Sequence, residues 1–268
     1  MILVGVDGSR AGLEAAIWAA REAALRKDAL RVVHALPSWI VEQGDGPYAG
    51  VGNWMREGGQ AVLTSALQRI EQEEPAVGVT SALLPGDPRE ALMGAAADAD
   101  LLVVGNHGMG GFRGLLLGSV AYGVAGHAPS HVVVVREASG RGDGEVVAGI
   151  DGSRGSEAVL EFAFTEAGLR GTKLRAVRAW DLFGGAPDGR DLLADWRTRF
   201  PEVEAVVEHV QGHPADTLRS ASKDAALLVV GTRGLGQISG MLLGSISHAM
   251  LHHADCPVAV IRQRKDEP

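Results

Sequence analysis

Residues 103–120, VVGNHGMGGFRGLLLGSV, place Gly105, Gly108 and Gly118 in one short span that ends at Ser119. Glycine is entropically costly to order, so a chain uses it where φ must be positive or where another group has to touch bare backbone. Two residues separate Gly105 from Gly108, and nine separate Gly108 from Gly118. Glycines at both ends let the chain fold over an anion with its N–H groups turned inward. Gly118-Ser119 then opens a helical pattern, whose free amides and positive dipole end favour phosphate. Ser119 can cap that helix or donate its hydroxyl to a phosphate oxygen.

The same spacing returns in VVGTRGLGQISGMLLGSI at 229–246, with Gly231, Gly234, Gly244 and Ser245. A glycine-rich turn can be nothing more than a tight loop. Two copies with identical internal spacing favour an ancestral phosphate loop. It is neither a G-x-x-x-x-G-K-[ST] loop nor the G-x-G-x-x-G dinucleotide fingerprint. A second constellation, Asp7-Gly8-Ser9 and Asp151-Gly152-Ser153, follows an apolar run in each half. In open α/β sheets ligands bind at such strand ends.

Other chemistry is weaker. No G-x-S-x-G elbow surrounds Ser9 or Ser153, and no serine or cysteine reads as a nucleophile. His248, His252 and Cys256 recur at four-residue intervals beside His253, but a helix stopped before Pro257 explains that spacing, and the glutamate of a zinc H-E-x-x-H is missing. No metal site is expected there. Trp39 and Trp54 flank 37–54, and Trp180 and Trp196 lie in the matching part of the second half. They are read as staples for long loops, with a second pocket or a partner surface as the alternative.

These residues must be carried by a repeated scaffold. VGVDGSRAGLEAAIWAA at 4–20 matches AGIDGSRGSEAVLEFAF at 148–164, an offset of 151 − 7 = 144. The glycine loops are offset by 231 − 105 = 126, so the first half carries 144 − 126 = 18 extra residues within 37–79. PSWIVEQGDGPYAGVGNW reads as the inserted loop. REASGRGDGE at 136–145 reads as a linker, giving one domain over 1–138 and another over 144–268. The first half predicts strands at 2–6, 30–36, 76–84, 100–105 and 131–135, with helices near 11–27, 56–74, 88–98 and 118–127. The second predicts strands near 145–150, 173–180, 203–210, 226–231 and 257–261. Runs such as LLVVG are apolar at every position, as expected of strands covered on both faces. The alternation means a parallel, doubly wound α/β sheet in each half.

Composition narrows the function classes. The 268 residues are 46% hydrophobic and 22% charged, a balance that supports well-filled cores. The net charge of −8 argues against broad nucleic-acid binding, though not against a compact anion held by backbone amides. One cysteine excludes an internal disulfide and suits a reducing, cytoplasmic setting. MILVGV lacks the basic region of a secretory signal, and no apolar stretch is long enough to span a membrane.

A first strand ending in VDGS, a G-x2-G-x9-G-[ST] loop and the tail HADCPVAVI together resemble the universal stress protein family in its tandem, two-domain form. The likeness covers both halves except 37–79 and its shorter counterpart 181–201. It implies a HUP or Rossmann-like five-stranded parallel sheet of order 3-2-1-4-5 in each half, with the two fifth strands meeting as an intrachain pseudo-dimer. It also implies ATP, accompanied by Mg2+, across strands one, two and four. Asp7 and Asp151 would then lie near the nucleoside, and the backbone at Ala35 and Ala179, after strand two, would meet adenine. Val104, Gly105, His107, Gly108, Gly118, Ser119 and Val120 would surround ribose and phosphates, as would Val230, Gly231, Arg233, Gly234, Gly244, Ser245 and Ile246.

The loops depart from each other where the family commonly has a basic residue, with His107 in one and Arg233 in the other, and with Arg113 opposite Ser239. Unequal affinities are expected. The reading is an ATP-binding stress-response or sensor module with an unidentified protein partner. Slow ATP hydrolysis or self-phosphorylation on Ser119 or Ser245 is one alternative, and a non-binding structural dimer is another. The duplication permits a compact monomer, while the apolar insertion could still pair two chains as a homodimer.

Overall fold

A computed structural model describes residues 1–42, 49–109, 117–136, 144–180, 191–232 and 243–263. The chain divides into two compact units, Met1–Glu137 and Ala138–Pro268.

The first unit runs β1 (Ile2–Gly5), α1 (Arg10–Arg26), β2 (Leu30–Leu36), α2 (Ser38–Glu42), α3 (Ala49–Glu73), β3 (Val79–Pro85), α4 (Pro88–Ala95), β4 (Leu101–Gly105), α5 (Ser119–His127) and β5 (His131–Val135). All its strand pairs are parallel: β1 lies between β2 and β4, β3 flanks β2 and β5 flanks β4, which is the order 3-2-1-4-5. α1 packs against α3, and α4 packs against α5. Right-handed crossovers put these two pairs on opposite faces of the sheet. The central strands are therefore buried from both sides, and Leu101, Leu102, Val103 and Val104 all lie in the core.

The second unit repeats the plan with β6 (Val146–Gly149), α6 (Gly155–Arg170), β7 (Leu174–Trp180), α7 (Ala194–Arg199), β8 (Ala205–Gln211), α8 (Pro214–Ala221), β9 (Leu227–Gly231), α9 (Ser245–His253) and β10 (Val258–Ile261). β6 sits between β7 and β9, with β8 and β10 outside them, all in parallel.

Apart from residues 43–48, which lie outside the described residues, the insertion departs from its sequence reading as a loop. Ser38–Glu42 is helical, and α3 begins at Ala49, so Gly50, Gly52, Gly58 and Gly59 lie inside a helix. At Gly59 close packing outweighs the poor propensity. A Cβ on Gly59 would come within 2.9 Å of Leu36 and 3.0 Å of Leu83, so glycine lets α3 settle onto β2 and β3. The tryptophans also part company. Trp54 is 73% exposed, whereas Trp196 stacks on Phe164 and Phe200 and fixes α7 to α6.

Candidate nucleotide crevice

The chain leaves β1 toward β2 and leaves β4 toward β5, in opposite directions, so a crevice opens at their carboxyl ends. The turn after β1 needs glycine, because Gly8 has φ +88° and Gly152, its counterpart after β6, has φ +78°. Asp7 spans the crevice. Its Oδ1 accepts from the Ser9 N–H at 3.0 Å, and its Oδ2 accepts from the Met109 N–H at 2.9 Å, tying the glycine loop to the end of β1. Ser9 caps α1 by accepting from the Gly12 N–H at 3.0 Å.

Gly105, Gly108 and Gly118 each sit against a different neighbour. At Gly105 a Cβ would lie 2.7 Å from the backbone of Ala11, so bare backbone lets α1 start directly against β4. At Gly108 it would lie 2.3 Å from Asp7 Oδ2. At Gly118 it would stand 3.2 Å from the His107 Cα, and the Gly118 N–H donates to the Asn106 carbonyl at 2.7 Å. Asn106 is buried, donates its own N–H to Val135 at 2.8 Å, and holds the His107 ring through its side-chain oxygen.

The two ends of the loop thus meet at α5, whose cap is Gly118 itself. A glycine cap has no side chain to cover the first amides of the helix, leaving them for another acceptor. This corrects the reading of the serines as caps: Ser119 and Ser245 are first helical residues behind Gly118 and Gly244, and both are exposed. Val120 and Ile246 follow them, half-buried.

Ala35 and Ala179 lie within β2 and β7 and not after them, paired with Leu84 and Val210. Their backbone polar groups nevertheless face the crevice. Val33 accepts from the Val6 N–H, so its polar groups face β1, and the two-residue period puts those of Ala35 on the same side, past the last paired residue of β1. Val177 accepts from Ile150 and places Ala179 alike. Val104 and Val230 are buried strand residues that can offer only backbone.

In the second unit Gly244 donates to the Thr232 carbonyl at 2.7 Å, the same closure as in the first. Asp151 accepts from the Ser153 N–H at 2.9 Å and from the Ser156 hydroxyl at 3.0 Å. Ser156 stands where the first unit has Gly12, and its Oγ also accepts from the Asp151 and Gly152 amides. Gly231 ends β9, and Ser247 donates to its carbonyl. Arg113, Arg233 and Gly234 lie outside the described residues.

Sequence reasoning missed Asn106, His34, Arg178 and a repeated buried acid, Glu22 and Glu166. The acid could have been found, since 166 − 22 = 144, the offset of the two VDGS motifs, and each glutamate pairs with an arginine one turn later, Arg26 and Arg170. His248 and His252 lie with ring centroids 4.6 Å apart and their planes tilted by 42°. Among the described residues no helix is long and apolar enough to cross a membrane, and no group of three or more His, Cys, Asp or Glu is placed to hold a metal ion.

Two doubly wound units, each with a crevice at its topological switch point, define a tandem Rossmann-like protein. The model of the universal stress protein family matches residues 1–136 and 186–262, and the chain belongs to that family. It is 35% identical to a universal stress protein of Mycobacterium tuberculosis over 98% of this chain and 96% of that one. A universal stress protein of Mycolicibacterium smegmatis is 34% identical over 98% and 97%. In fold the chain is similar to the crystal structure of a universal stress protein from Archaeoglobus fulgidus, with a TM-score of 0.76 and 20% identity over 98% of both chains.

Proposed function

We propose that the chain is a cytoplasmic ATP-binding module of the stress response, acting through a nucleotide-dependent shift in the stability of its folded surface and not through turnover. The observation that carries this reading is the convergence of bare loop backbone and a glycine-capped helix start at the ends of β1 and β4, with the glycine-capped helix start repeated after β9. A triphosphate would lie on the Gly105–Gly108 and Gly118–Val120 backbone, with its magnesium held by phosphate oxygens and water. The base would lie along Ala35, and Asp7 would fix the loop beside the nucleoside. Gly231, Gly244, Ser245 and Ala179 offer the same in the second unit. The single, buried Cys256 suits a reducing compartment.

Binding without chemistry is supported by Asp7, both of whose oxygens already accept backbone N–H groups. That suits a positioning role better than proton abstraction. Ligand bound only to the folded chain stabilises it by mass action and selects which surface a protein partner meets.

Calorimetric titration of nucleotide-stripped protein with Mg-ATP, alongside an assay for released phosphate, tests this reading. Saturable heat with phosphate release at background supports it. Turnover that disappears in Asp7→Ala or Asp151→Ala would replace it with an ATPase. Absence of heat and of any melting shift at millimolar ATP would leave the interaction dimer.

A further inference from the structure

The turn after the first strand is built alike in the two units but faces different chemistry. In the first unit a Cβ on Gly8 would sit 3.1 Å from Val62 Cγ2 and 3.7 Å from Met109 Sδ, an apolar wall. His34 of β2 is drawn back from it. Its Nδ1 lies 2.7 Å from the Val6 carbonyl oxygen, and its Cδ2 is 3.2 Å from the place a Gly59 Cβ would take beneath α3.

In the second unit Arg178 stands at the position of His34, since 178 − 34 = 144, and the six-residue α7 replaces the 25-residue α3. The guanidinium reaches across from β7 to the turn after β6. Nη2 lies 3.4 Å, and Cζ 3.6 Å, from where a Gly152 Cβ would be. Arg178 also precedes Ala179, whose backbone would meet the base.

We propose that Arg178 decides the ranking of the two sites: it occupies the mouth of the second crevice, where the first offers apolar contact, and so makes the first unit the tighter nucleotide site. This rests on the nucleotide reading above. A base can lie along Ala179 only when the guanidinium has swung aside, and apparent affinity falls by the fraction of time the crevice is open. Unequal loops at His107 and Arg233 are not needed for the effect.

The test uses the full-length, nucleotide-stripped protein and Mg-ATP in a calorimeter. Wild type is expected to show one tight site and a second weaker by about tenfold or more. Gly118→Ala, which perturbs only the first loop, should leave the weak site alone. Adding Arg178→Ala to it should tighten that site by about tenfold, with melting curves confirming the fold. Arg178→His, which copies the first unit, serves as a second variant and should act in the same direction. An unchanged or weakened second site in both Arg178 variants would overturn the proposal, as would two equal sites in wild type. No heat in wild type would instead overturn the nucleotide reading, and this inference with it.

Discussion

Gly108 lies against Asp7 so closely that a Cβ on the glycine would stand 2.3 Å from the Asp7 Oδ2 oxygen, which at the same time accepts the Met109 N–H at 2.9 Å. The glycine of the loop and the aspartate of the first strand therefore form one element. Asp7 can hold the loop over the crevice only because residue 108 has no side chain. Gly108→Ala should push the loop away from β1, costing about 1–3 kcal/mol of stability and lowering ATP affinity more than Gly118→Ala does. In an Asp7→Gly background the same substitution should cost markedly less, because the clashing carboxylate is gone. Urea titration of the four proteins in this cycle reads the coupling directly.

Two other glycines separate rigid from yielding neighbours. A Cβ at Gly105 would meet the Ala11 backbone at 2.7 Å, and α1 cannot move without disturbing the core. At Gly123, inside α5, it would meet the Cδ of the exposed Arg89 side chain at 2.8 Å, and that side chain can swing away. Gly105→Ala should lower stability by about 3 kcal/mol, at the upper end of overpacking costs. Gly123→Ala should be neutral, or gain about 0.5–1 kcal/mol from helix propensity. Thermal melts of the two variants distinguish these outcomes.

Glu22 and Glu166 are 1% and 0% exposed, and each is paired with an arginine one turn along its helix. Replacing either glutamate removes the buried carboxylate its arginine is paired with. Glu166→Leu should therefore cost about 3–5 kcal/mol, and Glu22→Leu should fall at the lower end because Arg26 is more exposed than Arg170. Chemical denaturation with an unchanged slope would confirm that the loss is one of native stability.

The helix after the third strand is capped by different chemistry in each unit. Asp87 accepts from the Arg89 N–H at 2.9 Å, whereas His213 accepts through Nδ1 from the Ala215 N–H at 3.3 Å. The Arg89 N–H bond holds the Asp87 carboxyl below its ordinary value of 3.8, with the Arg89 guanidinium helping. A lowered carboxylate stabilises the fold fully above 3.8 and loses that contribution as pH falls through the folded value. Asp87→Ala should cost about 1 kcal/mol at neutral pH, a difference that shrinks below pH 4. His213→Asp should raise stability at neutral pH by a few tenths of a kcal/mol, consistent with a better cap. Melting temperatures across pH 3–7 test both.

What could be read in the sequence follows from what is local. Strands such as LLVVG were legible because both-face burial leaves an unbroken apolar run, and the tandem plan was legible because motifs recur at fixed offsets. The start of α3 was not, because Gly50 and Gly52 read as loop residues, and only the packing of Gly52 near Trp39 and of Gly59 on Leu36 and Leu83 shows the helix seated there. Ser119 looked like a cap, yet Gly118 takes that place because its backbone turns at φ −77° and ψ 155° to close on Asn106. Asp7 stood out in the sequence as a candidate but not as the clasp of the loop, since its partner is 102 residues away. Arg178 was hidden for a related reason. A single change within a matching strand, His34 to Arg178, gains meaning only when the missing length of α3 shows where the longer side chain goes.

The most direct test of a nucleotide at the ends of β1 and β4 is a map of backbone amide shifts in 15N-labelled protein as Mg-ATP is added. Amides of Asp7, Ala35, Gly105, Gly108, Gly118, Ser119 and Val120 should move together and saturate at one concentration, with those of Gly231, Gly244 and Ser245 following at higher ATP. Shifts gathered elsewhere, with these amides unmoved at saturating ATP, would contradict the crevice as the nucleotide site.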